Sequence, residues 1–331
     1  MSDKNLIQIQ SAKQTAFATP VTPMTVKFME ITDITVKPIL EVKRLPDMRG
    51  SLAPAYIAAL QKQAVTAQIK GVATHEDICY WLESIFGVAT PSGTGPYTRA
   101  ANAPLTAVVA SPRMFTLTVG EAVDGPYQLD GMLASKLAFT VKNADKLDFT
   151  VDLIGLKVDG AGTLAALSDR TVTPIMASDI TPYIDAVGGT IGSTAFAANI
   201  YSLDWTIDTK RDLRYYLGAV TPGRYREPNT WELTMKAVME FIAASPNSAA
   251  LLTALMAITP GSTFAKQLRL KAANGTNVLQ LDGAGVNETA PDLWTYDNNV
   301  QTMDLTLMGL YNTALANYAA YSSTNSVATL P

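Results

Sequence analysis

Cysteine and histidine occur once each in the 331 residues, as Cys79 and His75. A lone cysteine excludes an internal disulfide framework and any cysteine-based metal site, so packing and hydrogen bonds must hold the fold. A lone histidine excludes a His-based metal cluster. His75 falls at the polar start of a helical pattern, which suits a cap-region or surface residue better than a catalytic base. Charge is scarce too: 16% of residues are charged, the net charge is −4 and no basic run occurs. That excludes a protein that wraps nucleic-acid phosphates with Lys and Arg. No apolar run approaches the roughly 20 residues needed to span a bilayer, and Met1-Ser2-Asp3-Lys4-Asn5 opens onto no apolar signal core. No signal peptide or membrane span is expected, and an intracellular origin fits.

What the chain has is alternation. Lys146 to Leu156 puts Leu147, Phe149, Val151 and Leu153 on one strand face and Asp148, Thr150 and Asp152 on the other. The pattern returns at Met303-Asp304-Leu305-Thr306-Leu307. With 48% apolar residues, the chain is globular, and its length exceeds the usual span of one core.

Residues 1–24 read as an extended arm ending in Ala18-Thr19-Pro20-Val21-Thr22-Pro23. A first β unit follows over 25–158, with strands at 25–29, 34–43, 64–71, 114–119, 127–131, 133–142 and 146–158. The stretch 44–63, with Pro46, Gly50, Pro54 and Tyr56, is too long for a hairpin turn and reads as a functional loop. Thr74-His75-Glu76-Asp77 is a helix start in which Thr74 and Asp77 exchange capping bonds. Ile78, Trp81, Leu82, Ile85 and Phe86 then form one apolar face before Gly87, an amphipathic helix laid on a sheet. Residues 89–112 read as loop. Cys79 beside the apolar face reads as a buried packing residue.

Residues 159–181 form a linker, and 182–312 a second unit in the same order. Its strand 200–210 leads into Arg211-Asp212-Leu213-Arg214, matching Arg44 and Asp47-Met48-Arg49. A second long loop precedes the strand 231–241, where Met235-Lys236-Ala237-Val238 corresponds to Ile69-Lys70-Gly71-Val72. Ser245-Pro246-Asn247-Ser248 starts a second short helix with Leu251, Leu252, Leu255, Met256 and Ile258 inward. Strands over 266–272, 278–283 and 300–312 complete the unit, and 313–331 is a small, polar C-terminal tail, free or draped over a neighbour.

The run Gln14-Thr15-Ala16-Phe17-Ala18-Thr19-Pro20 resembles the Thr-rich opening, ending in Ala-Thr-Pro, of bacteriophage tail tube (major tail) proteins. Gly71-Val72-Ala73-Thr74-His75-Glu76-Asp77-Ile78 and Trp81-Leu82-Glu83-Ser84-Ile85-Phe86-Gly87 are similar to that family where a strand enters its helix. The resemblance covers most of residues 7–312. It implies a mainly β fold with two short helices (α+β): two tandem tail-tube-like β-sandwich or barrel domains, each with one packed helix and a long loop. It also implies a structural virion protein, made in the host cytoplasm, whose rings stack into a tube around a channel for DNA. Two domains per chain imply a trimeric ring of pseudo-sixfold symmetry, with a true hexamer as the alternative. Partners would be the chain itself, tape measure and tail terminator proteins, and DNA that passes without sequence-specific binding; no membrane is implied.

Open sheet edges must be blocked or used, and a ring uses them. Arg44, Asp47, Arg49, Tyr56, Arg211, Arg214, Tyr215, Arg224, Tyr225 and Arg226 in the two long loops are the candidates for ring-to-ring contact, because Arg and Tyr suit interface anchors. Asp148, Asp152 and Asp304 are candidates to line the channel, where carboxylates repel phosphate weakly; an ordinary solvated outer face is the alternative. Gly188-Gly189-Thr190-Ile191-Gly192 lacks the Lys and the strand-helix setting of a phosphate loop and reads as a turn. Asn274-Gly275-Thr276 reads as a hairpin turn. No catalytic constellation, metal site or cofactor site is expected. Two other readings stay open: a tandem β-sandwich carbohydrate or receptor-binding module, with Tyr201, Tyr215, Tyr216, Tyr225 and Trp231 on one groove, and a single-ring protein at a tail junction.

Overall fold

The computed structural model describes residues 6–45, 57–105, 109, 111–121, 125–160, 162–196, 200–227, 230–240, 251, 253, 264–287, 295–297 and 300–331. The first half contains β1 (Gln8–Gln14), β2 (Val26–Lys27), β3 (Ile31–Leu45), β4 (Ile57–Val72), α1 (Ile78–Phe86), β5 (Tyr97–Asn102), β6 (Met114–Gly120), β7 (Tyr127–Lys142), β8 (Asp148–Gly155) and β9 (Lys157–Asp159). The second contains β10 (Ile180–Ala186), β11 (Ile200–Asp208), β12 (Asp212–Arg214), β13 (Arg224–Arg226), β14 (Glu232–Glu240), β15 (Ala265–Asn274), β16 (Asn277–Val286), β17 (Thr295–Asp297), β18 (Val300–Gly309) and β19 (Ala319–Asn325). The fold is mainly β, as the alternation implies.

Eight strands form one antiparallel run in the order β3-β4-β8-β7-β11-β14-β18-β17. Its two quartets share a register. Lys70 stands opposite Thr150 and Val72 opposite Asp148; Lys236 stands opposite Thr306 and Val238 opposite Asp304. Asp33 faces Lys70 as Asp204 faces Lys236. The period of two assigns the faces: Phe149, Val151 and Leu153 in β8, and Leu203, Trp205 and Ile207 in β11, are buried, while the residues between them face outward. The connections follow turn chemistry. Asn274 pairs with Asn277 across Gly275-Thr276, and Gly275 has φ 60°, the left-handed backbone that a two-residue hairpin requires.

Outside the run, β1 joins β2 and β6, and β6 joins the N-terminal part of β7, which also carries β9. The proposed arm is thus a sheet strand, with Ile9, Gln10, Ser11 and Ala12 buried. In the second half β10 pairs with β15 and β15 with β16. The C-terminal segment is not a loose tail: β19 lies between β16 and β5. Its partner β5 falls where a plain loop was expected.

The helix starts and stops as its sequence indicates, at Ile78 and Gly87, but it is not laid on a sheet with one face wet. All nine of its residues are buried. Trp81 stacks on Phe28 and meets Phe115 and Phe149, and Phe86 meets Trp205 and Tyr321. The polar side is covered as well. Glu83 lies 3.1 Å from Arg113 and 3.6 Å from Arg99, which gives a buried carboxylate the partners it needs. The cap is one-sided: Asp77 N donates to Thr74 Oγ1 at 3.2 Å, whereas the Asp77 carboxylate accepts Met29 N at 3.0 Å and pairs with Arg170. Of the second predicted helix, Leu251 and Thr253 are helical and Leu251 is buried; its other residues lie outside those described.

Candidate assembly surfaces

The outward face of the run from β3 to β18 is mainly polar among the described residues, with Ala138, Ile154, Val238 and Met308 between the polar side chains. Asp148, Asp152 and Asp304 all lie on it, since paired residues point to the same side of a sheet and the pairings link Asp148 through Thr140, Asp204 and Lys236 to Thr306. Asp148 is exposed. Asp152 accepts Gln68 Nε2 at 2.8 Å, and Asp304 pairs with Lys236 at 2.8 Å. Along the same face Lys210 bridges Asp208 and Glu232 at 3.1 and 2.8 Å. Among the described residues, carboxylates outnumber ammonium groups there.

The first long loop extends a ribbon. Beyond Pro38–Val65, β3 and β4 continue to pair only with each other as far as Leu45–Ile57. Arg44 is exposed on it, with Ile39, Leu40, Val42 and Leu60 exposed nearby. Asp47, Arg49 and Tyr56 lie outside the described residues. Ile39 and Leu40 are adjacent in one strand, so a strand that buried one face would hide only one of them. Sequence reading missed these apolar residues because it looked for Arg and Tyr.

The second long loop folds as the β12–β13 hairpin. Arg214 and Arg226 both approach Asp212, at 3.9 and 3.8 Å, and Arg224 lies over the Tyr216 ring. Tyr216, Leu217 and Val220 are exposed at its tip. The two loops touch: Gln63 N donates to Val220 O at 2.7 Å, and Lys62 lies over the Tyr215 ring.

Arg211 departs from the expectation of a surface anchor. Its side chain is wholly buried and donates to the carbonyls of Ser84, Ala134 and Ile85 at 2.6, 2.7 and 2.8 Å and to Glu227 at 2.8 Å. Ser84 and Ile85 lie in the last turn of α1, whose carbonyls lack intrahelical donors, and a cation suits that end of the helix dipole. Burial pulls the guanidinium pKa down and Glu227 opposes it. Tyr225 turns inward too, edge-on to Phe17 with Arg211 over its ring.

No saccharide groove is assembled from the five aromatics. Trp231 packs on Phe86, Tyr225 on Phe17, and Tyr201 Oη donates to Glu240 at 3.1 Å. The glycine-rich turn is filled by its own chain: Asp185 accepts Gly192 N at 2.7 Å, Ser193 Oγ at 2.6 Å and Thr194 N at 2.9 Å. Burial pushes the Asp185 pKa up, but the bonds from Ser193, Gly192 and Thr194 prevail and hold it below its ordinary value.

Cys79 is buried, and burial raises its thiol pKa, as befits packing. His75 is buried and not at the surface, with no hydrogen-bond partner on either ring nitrogen among the described residues. Burial lowers its pKa, opposed by Glu76 and Asp179, so the folded state holds a neutral imidazole. As pH falls through the ordinary histidine value of about 6.5, the unfolded chain takes up a proton that the folded one refuses, and stability drops. Urea denaturation of the unassembled subunit should show this loss between about pH 7 and 5, and His75→Gln should flatten it. Among the described residues no cluster of His, Cys, Asp and Glu could hold a metal ion, and no helix is long and apolar enough to cross a membrane.

The sequence model of one family, phage tail tube protein, matches residues 4–307. The chain belongs to the phage tail tube protein family. No curated protein matches it in sequence. As a tail tube protein it is a structural component of the virion tail, built to assemble with itself and with other tail proteins. The surfaces that a tube protein has to offer are therefore the polar sheet face, the two ends of the eight-strand run, the β3–β4 ribbon and the tip at Tyr216 to Val220.

Proposed function

We propose that three copies of this chain close into a ring of pseudo-sixfold symmetry, and that rings stack into a tube through which DNA passes without sequence-specific binding and without any catalysis by the chain. The observation that carries this reading is the shared register of the two quartets, β3-β4-β8-β7 and β11-β14-β18-β17, joined edge to edge within one chain. A chain made of two equivalent units side by side supports the duplicated-domain reading, with the first unit over residues 25–158 and the second over 182–312. A head-to-tail interface that repeats such a step by rotation closes into a ring. A closed sheet leaves no edge exposed.

In this reading the polar face with Asp148, Asp152 and Asp304 lines the channel. The ribbon with Arg44, Ile39, Leu40 and Val42, and the tip with Tyr215, Tyr216 and Arg224, bridge successive rings. Arg44, Asp47, Arg49 and Tyr56 belong to the first bridging loop, and Arg214 and Arg226 support the second. Tape measure and tail terminator proteins would meet the lumen and the tube end, and the subunit would be made in the host cytoplasm. Negative-stain microscopy of the purified protein tests the assembly: tubes are expected, whereas isolated rings favour a junction protein and unassembled particles oppose both.

The lining has its own consequence. Asp148→Lys with Asp304→Asn makes the channel less negative: Asp148 is exposed, and the Asp304–Lys236 pair lost at a half-exposed site is worth little, so the subunit should fold as before. DNA release from phage carrying both changes should slow at low salt and recover at high salt, because phosphate contacts are screened by added ions. Release kinetics unchanged at every salt concentration would place this face away from the DNA.

A further inference from the structure

Asn274-Gly275 is the only Asn-Gly pair in the sequence. It closes the β15–β16 hairpin, where Asn274 stands opposite Asn277 across Gly275-Thr276. This tip projects past both neighbouring strands. The β10 pairing ends at Ile180–Ala272 and the β19 pairing at Thr324–Val278, so among the described residues no other strand flanks the closing pair. Ala273, Asn274, Gly275 and Thr276 are exposed. Among the described residues, neither the Gly275 N–H nor the Asn274 carboxamide has a hydrogen-bond partner, and a side chain added at Gly275 would meet nothing within 4 Å.

These features favour one reaction. The Gly275 nitrogen follows the Asn274 carbonyl carbon directly, so its attack on Asn274 Cγ closes a five-membered ring, and proximity of that kind lowers a barrier steeply. Glycine has no Cβ to shield the attacking nitrogen. The ladder slows the approach without preventing it: the extended backbone of a strand keeps the Asn274 side chain off the next nitrogen until the Asn274–Asn277 pair opens. A closing pair at a free hairpin end opens locally, far below the free energy of global unfolding.

We infer that Asn274 is a site of spontaneous deamidation, by which the subunit gains a carboxylate as it ages. The Gly275 nitrogen gives its proton to hydroxide and attacks Asn274 Cγ. The N–Cγ bond forms as the Cγ–Nδ2 bond breaks, and ammonia leaves with a proton taken from water. Water then opens the cyclic imide at either carbonyl. Breaking N–Cγ restores the main chain and leaves aspartate; breaking the bond from the nitrogen to the Asn274 carbonyl carbon leaves isoaspartate, with the backbone routed through the side chain. Water is consumed and ammonia released, and no other reagent is needed.

Peptide mapping by mass spectrometry tests this on the full, folded chain held at mildly alkaline pH for increasing times, with Asn274→Asp protein as the reference for the aspartate product. The peptide containing residue 274 should gain the amide-to-acid mass difference in proportion to time and to hydroxide concentration, and should yield isoaspartate as well as aspartate. It should convert ahead of the peptides with Asn102 and Asn143, which are exposed but each followed by Ala. Asn274→Gln should slow conversion at this position by about 10²-fold, because a larger ring brings the reacting atoms together less well. A residue 274 peptide that stays unchanged in the folded chain would overturn the inference. So would conversion no faster than at Asn102 or Asn143, or aspartate formed without isoaspartate. The readout does not depend on whether the chain forms tubes.

Discussion

Deleting residues 319–331 should leave a chain that does not fold to a soluble subunit. β19 is hydrogen-bonded on both sides, to β16 from Val278–Thr324 to Gly283–Ala319 and to β5 from Asn102–Ala320 to Tyr97–Asn325. Its loss bares two strand edges at once, the feature that most promotes aggregation. It also uncovers α1. Tyr321 packs on Phe86 with ring centroids 5.1 Å apart, and Asn325 Nδ2 donates to His75 O at 2.8 Å. Arg99 loses Asn325 and the Ala328 carbonyl, and Arg113 loses the carbonyls of Leu330 and Pro331. Those two arginines neutralise the buried Glu83, so the deletion loosens an ion cluster as well as a sheet. Removing only residues 327–331 spares β19 and should give a folded but weaker subunit. Expression, solubility and thermal melting of the two truncations read the difference. A 1–318 chain that melts like the parent would show that β19 is dispensable.

Arg211→Ala should cost about 3–5 kcal/mol of subunit stability, the usual consequence of removing one partner of a buried ion pair. Glu227, whose side chain is 3% exposed, would keep its charge without a counterion, and the carbonyls of Ser84, Ile85 and Ala134 would lose their donor. Against a typical domain stability of about 5–15 kcal/mol, that is a large share. Arg211→Lys should recover part of it, since one ammonium cannot match a planar fork that reaches four acceptors. Arg211→Leu with Glu227→Leu should be less harmful than Arg211→Ala, because it removes the stranded charge. Urea denaturation of the unassembled subunits orders the variants. A double variant as unstable as Arg211→Ala would mean that the stranded carboxylate is not the main cost.

These two elements are also where sequence reasoning fell short, for physical reasons. The segment Ala319-Ala320-Tyr321-Ser322-Ser323-Thr324-Asn325 has small and polar side chains with weak alternation, so nothing local marks it as a strand. Its burial comes from two partners distant in sequence. Arg211 sits among exposed arginines and looks like them. What distinguishes it is the position of the α1 carboxyl end, which only the folded chain supplies. For the same reason the polar side of α1 could not be seen to be buried: Glu83 finds Arg99 and Arg113 across the core.

Local rules, by contrast, carried well. The period of 3.6 bounded α1, Asn274-Gly275-Thr276 made its hairpin, and strict alternation assigned the faces of β8 and β18. Matching Ile69-Lys70-Gly71-Val72 to Met235-Lys236-Ala237-Val238 anticipated pairs that hold the same register against Asp148 and Asp304. Such pairs are legible because each residue's face is fixed by its neighbours in sequence. Which copy of the chain lies across an open edge is not written locally.

The most direct test is a cryo-electron microscopy map of tubes assembled from the purified protein, read in cross-section. The account predicts three chains per ring under a nearly sixfold outline, and Asp148, Asp152 and Asp304 facing an axial channel. A particle with no channel, or a tube whose polar eight-strand face points outward, would contradict it.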